Sequence, residues 1–256
     1  MIGRTATHAG EPLVRSASRR RAQPSLSPGN RTPFTERSLQ VGVLLMIAGV
    51  AYSMWILEFV LPTGLSPVQS FVSEHYVVSQ PYHALFRSAD VVAGVVYMGV
   101  ASRLTRLLTY GLACRAVVIG LGVFGLTTVT DALFVPDCIT TTDPVCERLE
   151  LTGHVSWQHL VHLWSSVASQ IAFIVVAFGI QHLATVYGTA AERVVTRLLL
   201  AILVISGLGC LTFYEIGWVG IPQRIQLVVI AAGTFGAAAR SLHKHHPVSR
   251  FLNARK

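Results

Sequence analysis

The chain has 256 residues, of which 52% are hydrophobic and only 12% are charged. Soluble domains carry about 25% charged residues, so this composition excludes an ordinary soluble protein and indicates an integral membrane protein. The net charge of +8 does not indicate nucleic-acid binding. The arginines and lysines lie mostly in both terminal segments and in short loops between apolar segments, which is the placement that the positive-inside rule predicts.

The first 37 residues are rich in Arg, Ser, Pro and Gly and contain few large apolar side chains. Such a segment buries too little surface to offset the entropy of ordering it. We therefore predict a disordered basic cytoplasmic tail over residues 1–37, a membrane domain over residues 38–242, and a second basic cytoplasmic tail over residues 243–256.

Six segments reach or approach the roughly 20 apolar residues that a helix needs to cross a bilayer. They run approximately over residues 39–61, 83–102, 116–135, 157–180, 195–214 and 221–239. The sequence therefore predicts an all-α membrane protein, a bundle of six transmembrane helices. Small residues in three of the spans predict close helix contacts, namely Gly120, Gly122, Gly125, Gly207, Gly209, Gly233 and Gly236.

Six crossings that follow an arginine-rich segment place both termini in the cytoplasm. Three loops, near residues 62–82, 136–156 and 214–221, are then predicted to lie outside. Nine of the 12 acidic residues lie in or beside these outer loops, which supports the same orientation. The predicted location is the cell membrane, with membrane lipids as partners and no nucleic-acid partner.

Two cysteines, Cys138 and Cys146, lie in the second outer loop among Pro and Asp residues that favour a tight turn. Because the outer compartment is oxidising, we predict a disulfide between them. The alternative, a metal site, requires further ligands at fixed spacing, and we find no such ligands.

Ionisable side chains enter the predicted spans mainly at their outer ends. His83, Arg87 and Asp90 lie on one face of the second span at positions i, i+4 and i+7, and Asp131 lies near the outer end of the third. A charged group in lipid costs about 2.5–3.5 kcal/mol at a helix centre, so we expect these groups to face a shared interior. Arg87 is predicted to pair with Asp90 or Asp131.

The other basic residue expected in this pocket is Arg224, at the start of the sixth span. Its predicted partner is Glu215 or Glu58, although both acids lie so near the membrane interface that we expect them to be solvated. The result is a polar, partly hydrated outer pocket with His83, Arg87, Glu215 and Arg224 as candidate binding residues. Structural pairing between helices is an alternative explanation for the same pattern.

The fourth span carries His159 and His162 about one helical turn apart, a spacing that lets both rings reach one ion. With Asp90, Asp131 or His83 they form a candidate zinc site for a hydrolase, in which the metal would activate water. The same spacing also arises when histidines bind neighbouring helices. A hydrolase without metal would use Ser73 as nucleophile and a histidine as base, but no Gly-x-Ser-x-Gly motif surrounds Ser73.

The sequence Phe-Val-Ser-Glu at residues 71–74, followed by Arg87 and Asp90, resembles the six-helix membrane family known as domain of unknown function 998 (DUF998). The resemblance continues through the two-cysteine loop to the histidines of the fourth span and covers about residues 39–242. It implies a six-helix bundle and carries no settled activity. His-Tyr at residues 75–76 stands where family members usually have Leu-Gly.

A more distant resemblance links the polar outer pocket to the transmembrane hydrolases related to alkaline ceramidase, which have seven helices and a wider His-x-x-x-His pair. Three functions therefore remain open. The first is binding of a lipid or small amphiphile in the outer pocket. The second is hydrolysis of lipid-like substrates, with or without zinc. The third is a structural or partner-binding role, and the sequence does not determine whether the protein is an enzyme.

Overall fold

The computed structural model describes residues 33–107 and 111–243. Over these ranges the chain forms seven α-helices, two short 3-10 helices and no strand. The α-helices are α1 (Pro33–Tyr52), α2 (His83–Leu104), α3 (Leu112–Leu133), α4 (Pro144–Leu151), α5 (Trp157–Tyr187), α6 (Ala190–Tyr214) and α7 (Gly220–Leu242), and the 3-10 helices are Met54–Phe59 and Val72–Tyr76.

Six of these elements are long and apolar enough to cross a membrane: α2, α3, α5, α6, α7, and α1 continued by the first 3-10 helix over Glu36–Phe59. The predicted all-α bundle of six spans is confirmed, since each predicted segment overlaps one of these helices. The short helix α4 is the seventh, and it lies in the loop between α3 and α5.

The start of α1 differs from the prediction. The helix begins at Pro33, so residues 33–37 are helical, although their composition placed them in the disordered tail. Proline suits the first helical position, where its missing N–H is not needed, and Glu36 lies in the first turn, where the helix dipole favours an acid. The rest of the predicted N-terminal tail and residues 244–256 lie outside the described residues.

The helix α4 was not predicted, because eight residues are too few to show the regular spacing of apolar residues that is typical of a helix. Ordinary start signals are nevertheless present. The Asp143 side chain accepts a hydrogen bond from the backbone nitrogen of Val145 at 2.9 Å, and Pro144 occupies the first helical position.

The six spans close into a ring. Each span packs against the spans that precede and follow it in the chain, and α1 packs against α7. Because successive spans run in opposite directions, residues 53–82, 134–156 and 215–219 lie together at one end of the bundle, which we call the loop end. The opposite end, where α1 begins and α7 ends, is the terminal end.

Aromatic rings fill the centre of the bundle. Tyr52, Tyr97 and Phe124 are buried, and their ring centroids lie 5.0–6.2 Å apart in edge-to-face arrangements. Phe173 of α5 adds a fourth ring, 4.9 Å from that of Phe124. The Tyr97 hydroxyl forms a hydrogen bond of 2.9 Å with the Thr234 hydroxyl, so the core also joins α2 to α7.

Glycine allows α2 and α3 to approach closely. A β carbon at Gly94 would lie 2.5 Å from the carbonyl oxygen of Gly125, and one at Gly125 would lie 2.5 Å from that of Gly94. Gly120 makes a similar approach to the backbone of α5. The predicted close contacts are wrong at Gly233 and Gly236, which face open space with nothing within 4 Å of an added β carbon.

Candidate functional site

A buried ion pair lies at the loop end, between α7 and the 3-10 helix that continues α1. Arg224 donates from Nε to Glu58 Oε1 at 2.7 Å and from Nη2 to Glu58 Oε2 at 2.5 Å. Its Nη1 donates to the carbonyl oxygens of Ser70 and Gly220 at 2.8 and 3.0 Å. Of the two partners predicted for Arg224, Glu58 is therefore confirmed.

Solvation of Glu58, expected from its place near the membrane interface, is wrong. The loop over residues 60–82 folds back across the bundle and covers the carboxylate. His75 donates from Nε2 to Glu58 Oε2 at 3.0 Å, and its ring stacks on Phe86 with centroids 4.8 Å apart. Glu215, the other predicted partner and a candidate binding residue, is exposed and makes no ion pair with Arg224 in the described chain.

Glu74, the acid of the Phe-Val-Ser-Glu sequence, joins the second 3-10 helix to the loop before α4. Its carboxylate accepts hydrogen bonds from the backbone nitrogens of Phe71 at 3.0 Å and Thr141 at 2.9 Å, and from the Thr141 hydroxyl at 2.5 Å. Burial raises the pKa of Glu74 above its ordinary value, although these hydrogen bonds act to lower it. The motif therefore organises the loop end of the bundle.

The predicted disulfide is confirmed. Cys138 and Cys146 are bonded, with Cα atoms 5.9 Å apart, and they enclose the turn that carries Thr141. The disulfide and Glu74 thus hold the same turn from two sides.

Asp131, near the end of α3, is held by hydroxyl groups of α5. Ser165 donates to Oδ1 at 2.5 Å, and Ser166 donates to Oδ2 at 2.8 Å. His162 Nδ1 lies 3.4 Å from Oδ1 and is within 3.0 Å of the carbonyl oxygens of Asp131 and Phe134. The predicted neighbours Asp131 and His162 therefore lie together.

Asp90 accepts a hydrogen bond from the hydroxyl of Tyr76, which is buried. Burial and the adjacent Asp90 carboxylate raise the pKa of Tyr76 well above its ordinary value. The Tyr76 ring also meets His162 edge-on, with centroids 6.1 Å apart. Tyr76 and His162 thus link Asp90 of α2 to Asp131 of α3.

Arg87 pairs with neither aspartate, and the predicted ion pair is absent from the described residues. Its Nε donates to the carbonyl oxygen of Ala132 at 2.8 Å. Ala132 lies in the last turn of α3, where carbonyl oxygens lack partners inside the helix and a cation is favoured. His83 is half-buried at the start of α2, and its Nδ1 has no hydrogen-bond partner within the described ranges.

His159 and His162 do not face a common site. His159 donates from Nε2 to Glu150 at 2.8 Å and accepts at Nδ1 from the Asp137 backbone nitrogen at 3.2 Å, so both of its ring nitrogens are occupied. Across residues 33–107 and 111–243, no group of three or more His, Cys, Asp or Glu side chains is placed to hold a metal ion. The residues proposed for a zinc site therefore do not fit one.

A nucleophile needs a base within hydrogen-bonding reach. Ser73 is half-buried in the second 3-10 helix, and no histidine of the described chain hydrogen-bonds its hydroxyl. The one hydrogen bond between a histidine ring and a hydroxyl group in these residues joins His154 to Thr152, both exposed. The catalytic candidates therefore do not form a nucleophile–base pair.

Among the residues that make these contacts, Ser70, His75 and Tyr76 were not candidates from the sequence. The sequence feature that could have identified two of them is their position. His75 and Tyr76 follow the Phe-Val-Ser-Glu sequence directly, at the point where the chain departs from the pattern of the family it resembles.

An apolar groove of about 520 Å³ lies on the side of the bundle near the loop end. It is formed by α6, α7, the end of the first 3-10 helix and the chain that follows it. The lining residues are Phe59, Pro67, Val68, Ile202, Ile221, Arg224, Ile225, Val228 and Val229.

A search of curated proteins and a search of solved structures each found no match to this chain. The family model described as "Protein of unknown function (DUF998)" matches residues 45–240, which is most of the chain. The match begins inside α1 and ends inside α7, so it includes every loop-end contact described above. The chain therefore belongs to the DUF998 family of proteins of unknown function.

Proposed function

We propose that this protein is a multi-pass protein of the cell membrane that binds a lipid of the surrounding bilayer. One acyl chain of that lipid lies in the groove between α6 and α7, and its head group lies at the loop end. The observation that carries the proposal is an apolar groove of about 520 Å³ beside the buried Arg224–Glu58 pair.

The size and exposure of the groove favour a lipid chain. Its volume falls within the roughly 300–1,000 Å³ of small-molecule sites. Ile225 and Val228 on its wall are 43% and 54% exposed, as expected for side chains that meet lipid. An acyl chain entering from the side would remain in an apolar environment throughout, so it would pay no cost of crossing water.

The groups beside the groove favour a head group at the loop end. Arg224 is its charged lining residue, and the guanidinium is fixed by Glu58. Trp218, which is 52% exposed, lies just before α7 at the same end. Tryptophan concentrates at the level of lipid head groups, so this level of the molecule suits the polar part of a lipid.

We also propose that the loop end faces outside and that both termini face the cytoplasm. Arg103, Arg106 and Arg193 lie towards the terminal end, whereas Asp143 and Glu147 lie in the loop between α3 and α5. This distribution of charge follows the positive-inside rule.

A structural role for the buried Arg224–Glu58 pair and its neighbouring hydrogen bonds is the second candidate. All the hydrogen bonds that Arg224 makes go to the protein itself, to Glu58 and two backbone carbonyl oxygens. Contacts satisfied in this way would fix the packing of α1, α7 and the covering loop whether or not a ligand is bound.

The lipid proposal is tested by filling the groove. Val228→Trp is expected to reduce the amount of lipid that co-purifies with the protein, because the indole would occupy the space of the acyl chain. The measurement is native mass spectrometry of protein released from lipid nanodiscs, with the bound lipid counted per chain.

Val195→Trp is the matched control. Val195 is a valine of similar exposure, 53%, on α6, and it does not line the groove. The proposal requires lipid to be retained in Val195→Trp and lost in Val228→Trp at equal thermal stability. Equal lipid content in both variants would rule it out.

A further inference from the structure

A small polar cavity of about 50 Å³ lies at the loop end, apart from the apolar groove. It is formed where the chain before the second 3-10 helix, the disulfide-bonded turn, α4 and the end of α6 meet, and the turn after α6 completes it. Its polar lining residues are Gln69, Thr140, Thr141, Glu147 and Tyr214.

The cavity and the groove share a wall. Gly220 donates from its backbone nitrogen to the carbonyl oxygen of Val68 at 2.9 Å. Val68 and Ile221 line the groove, whereas Gln69 and Val219, one and two positions away, line the cavity. The two spaces are therefore close enough for one lipid to reach both, with its acyl chain in the groove and its head group at the cavity.

The threonine hydroxyls in the cavity wall present acceptors to a ligand. Thr140 donates its hydroxyl hydrogen to Glu74 Oε1 at 3.3 Å, and Thr141 donates to Glu74 Oε2 at 2.5 Å. A hydroxyl group has one hydrogen and two lone pairs. Because both hydrogens are directed to Glu74, these oxygens are left to accept hydrogen bonds from the cavity.

Glu147 adds a negative charge to the same wall. It is half-buried in the first turn of α4 and forms no ion pair with a basic side chain of the described chain. The Tyr214 hydroxyl hydrogen-bonds to this carboxylate, which has further acceptor sites and keeps its charge. Within the described ranges no arginine, lysine or histidine lines the cavity. The cavity therefore suits a cationic hydrogen-bond donor.

Size and donor count favour a primary ammonium group. Such a group has three N–H donors and no acceptor, which matches a wall of acceptors, whereas a trimethylammonium group has no N–H to donate. The cavity volume of about 50 Å³ exceeds the roughly 30 Å³ that one water molecule occupies in the liquid, so it admits a group of that size and excludes a sugar ring. Calcium takes about 6–8 oxygen ligands, and this cavity offers one carboxylate.

We propose that the cavity binds a primary ammonium group, held by Glu147 and by the hydroxyl oxygens of Thr140 and Thr141. As a head-group site it rests on the lipid binding proposed above, and the lipid that matches it carries ethanolamine. A soluble amine is the other source of the same chemistry.

The lipid source is tested by native mass spectrometry of protein released from nanodiscs. These contain ethanolamine and choline lipids in equal amounts and with the same acyl chains. The wild type is expected to retain the ethanolamine lipid preferentially. Glu147→Gln is expected to lower the ratio of bound ethanolamine lipid to bound choline lipid by about tenfold, as loss of a charged hydrogen-bond partner predicts.

Asp143→Asn is the matched control. Asp143 is an exposed acid beside the same helix and does not line the cavity, and asparagine caps helices equally well, so this variant should keep the wild-type ratio. Gln69→Glu adds a carboxylate at an exposed lining position and should raise the ratio. It keeps the proposal testable if Glu147→Gln fails to fold.

The soluble source is tested by thermal unfolding in nanodiscs of choline lipid alone, with ethanolamine hydrochloride exchanged for choline chloride at constant ionic strength. A ligand that binds the folded protein stabilises it, so the wild-type melting temperature should rise with ethanolamine concentration. Glu147→Gln should remove this rise, and Asp143→Asn should keep it.

Either response supports ammonium binding in the cavity, and the lipid preference assigns it to a head group. Equal retention of the two lipids together with no melting response to ethanolamine would overturn the proposal, and so would responses that Glu147→Gln and Gln69→Glu leave unchanged. If the groove test above finds no bound lipid, the lipid proposal fails and the ethanolamine response alone decides whether the cavity binds an amine.

Discussion

Arg224 illustrates how one charged residue is accommodated inside a membrane bundle. Its guanidinium donates two hydrogen bonds to Glu58 and two to backbone carbonyl oxygens. Bidentate contacts between charged groups are among the stronger hydrogen bonds. Forming the pair removes the water that hydrates both groups in the unfolded chain, and this desolvation cost offsets much of their attraction. The pair therefore matters mainly because the loss of one partner leaves the other charge buried and unpaired.

Removing one partner of this pair is therefore expected to destabilise the protein strongly. Arg224→Gln and Glu58→Gln should each lower the free energy of unfolding, Arg224→Gln by about 3–5 kcal/mol because it leaves the carboxylate buried and unpaired. The double variant should lose less than the sum of the two. Thermal unfolding in one detergent measures all four proteins, and a fully stable Arg224→Gln protein would contradict the prediction.

At the scale of helices, the bundle depends on how closely neighbouring spans approach. Membrane helices associate without a hydrophobic driving force between them, so small residues that bring backbones together are important. Gly94 and Gly125 provide such a contact between α2 and α3, the two helices that carry Asp90 and Asp131. Their spacing therefore also sets the distance between the two carboxylates.

Gly94→Ala is expected to lower the free energy of unfolding by about 1–3 kcal/mol, the usual cost of overpacking, because its β carbon would lie 2.5 Å from a backbone oxygen. Gly233→Ala is the control. It faces open space and should be neutral or stabilising, because alanine favours helix formation. Thermal unfolding of both variants checks this, and equal effects would argue against a tight α2–α3 contact.

At the scale of the whole molecule, the ring of spans has two unlike ends. The loop end carries two 3-10 helices, α4 and the disulfide, and these are joined to one another by the Glu74 and Arg224 contacts. At the terminal end, the connection between α5 and α6 is only two residues long. Every site that we propose lies in the half of the bundle nearer the loop end. The orientation of the molecule in the membrane therefore decides which compartment these sites face.

That orientation is tested by cysteine labelling in a background with Cys114→Ala and Cys210→Ala. A membrane-impermeant maleimide applied to intact cells should label Val78→Cys, which is exposed at the loop end, and should not label Thr105→Cys, which is exposed at the terminal end. Both should react after permeabilisation. The reverse pattern in intact cells would place the termini outside.

The sequence by itself determined the number and approximate bounds of the spans, because crossing a bilayer depends on the length and hydropathy of a continuous segment. It also determined the disulfide, since Cys138 and Cys146 are eight positions apart in one loop. The extension of α1 to Pro33 and the presence of α4 were harder to predict. Both segments have helix start signals but no regularly spaced apolar residues, and start signals alone are weak evidence for a helix.

Only the tertiary structure decided which polar groups meet. Glu58 and Arg224 are 166 positions apart, and their pairing depends on the closure of α1 against α7. Arg87 reaches a helix-terminal carbonyl oxygen instead of an aspartate, and His159 is occupied by Glu150. The physical reason is that a side chain's partner is set by the rotation of each helix about its axis and by the fold of the covering loops, and neither is encoded in the composition of a single span.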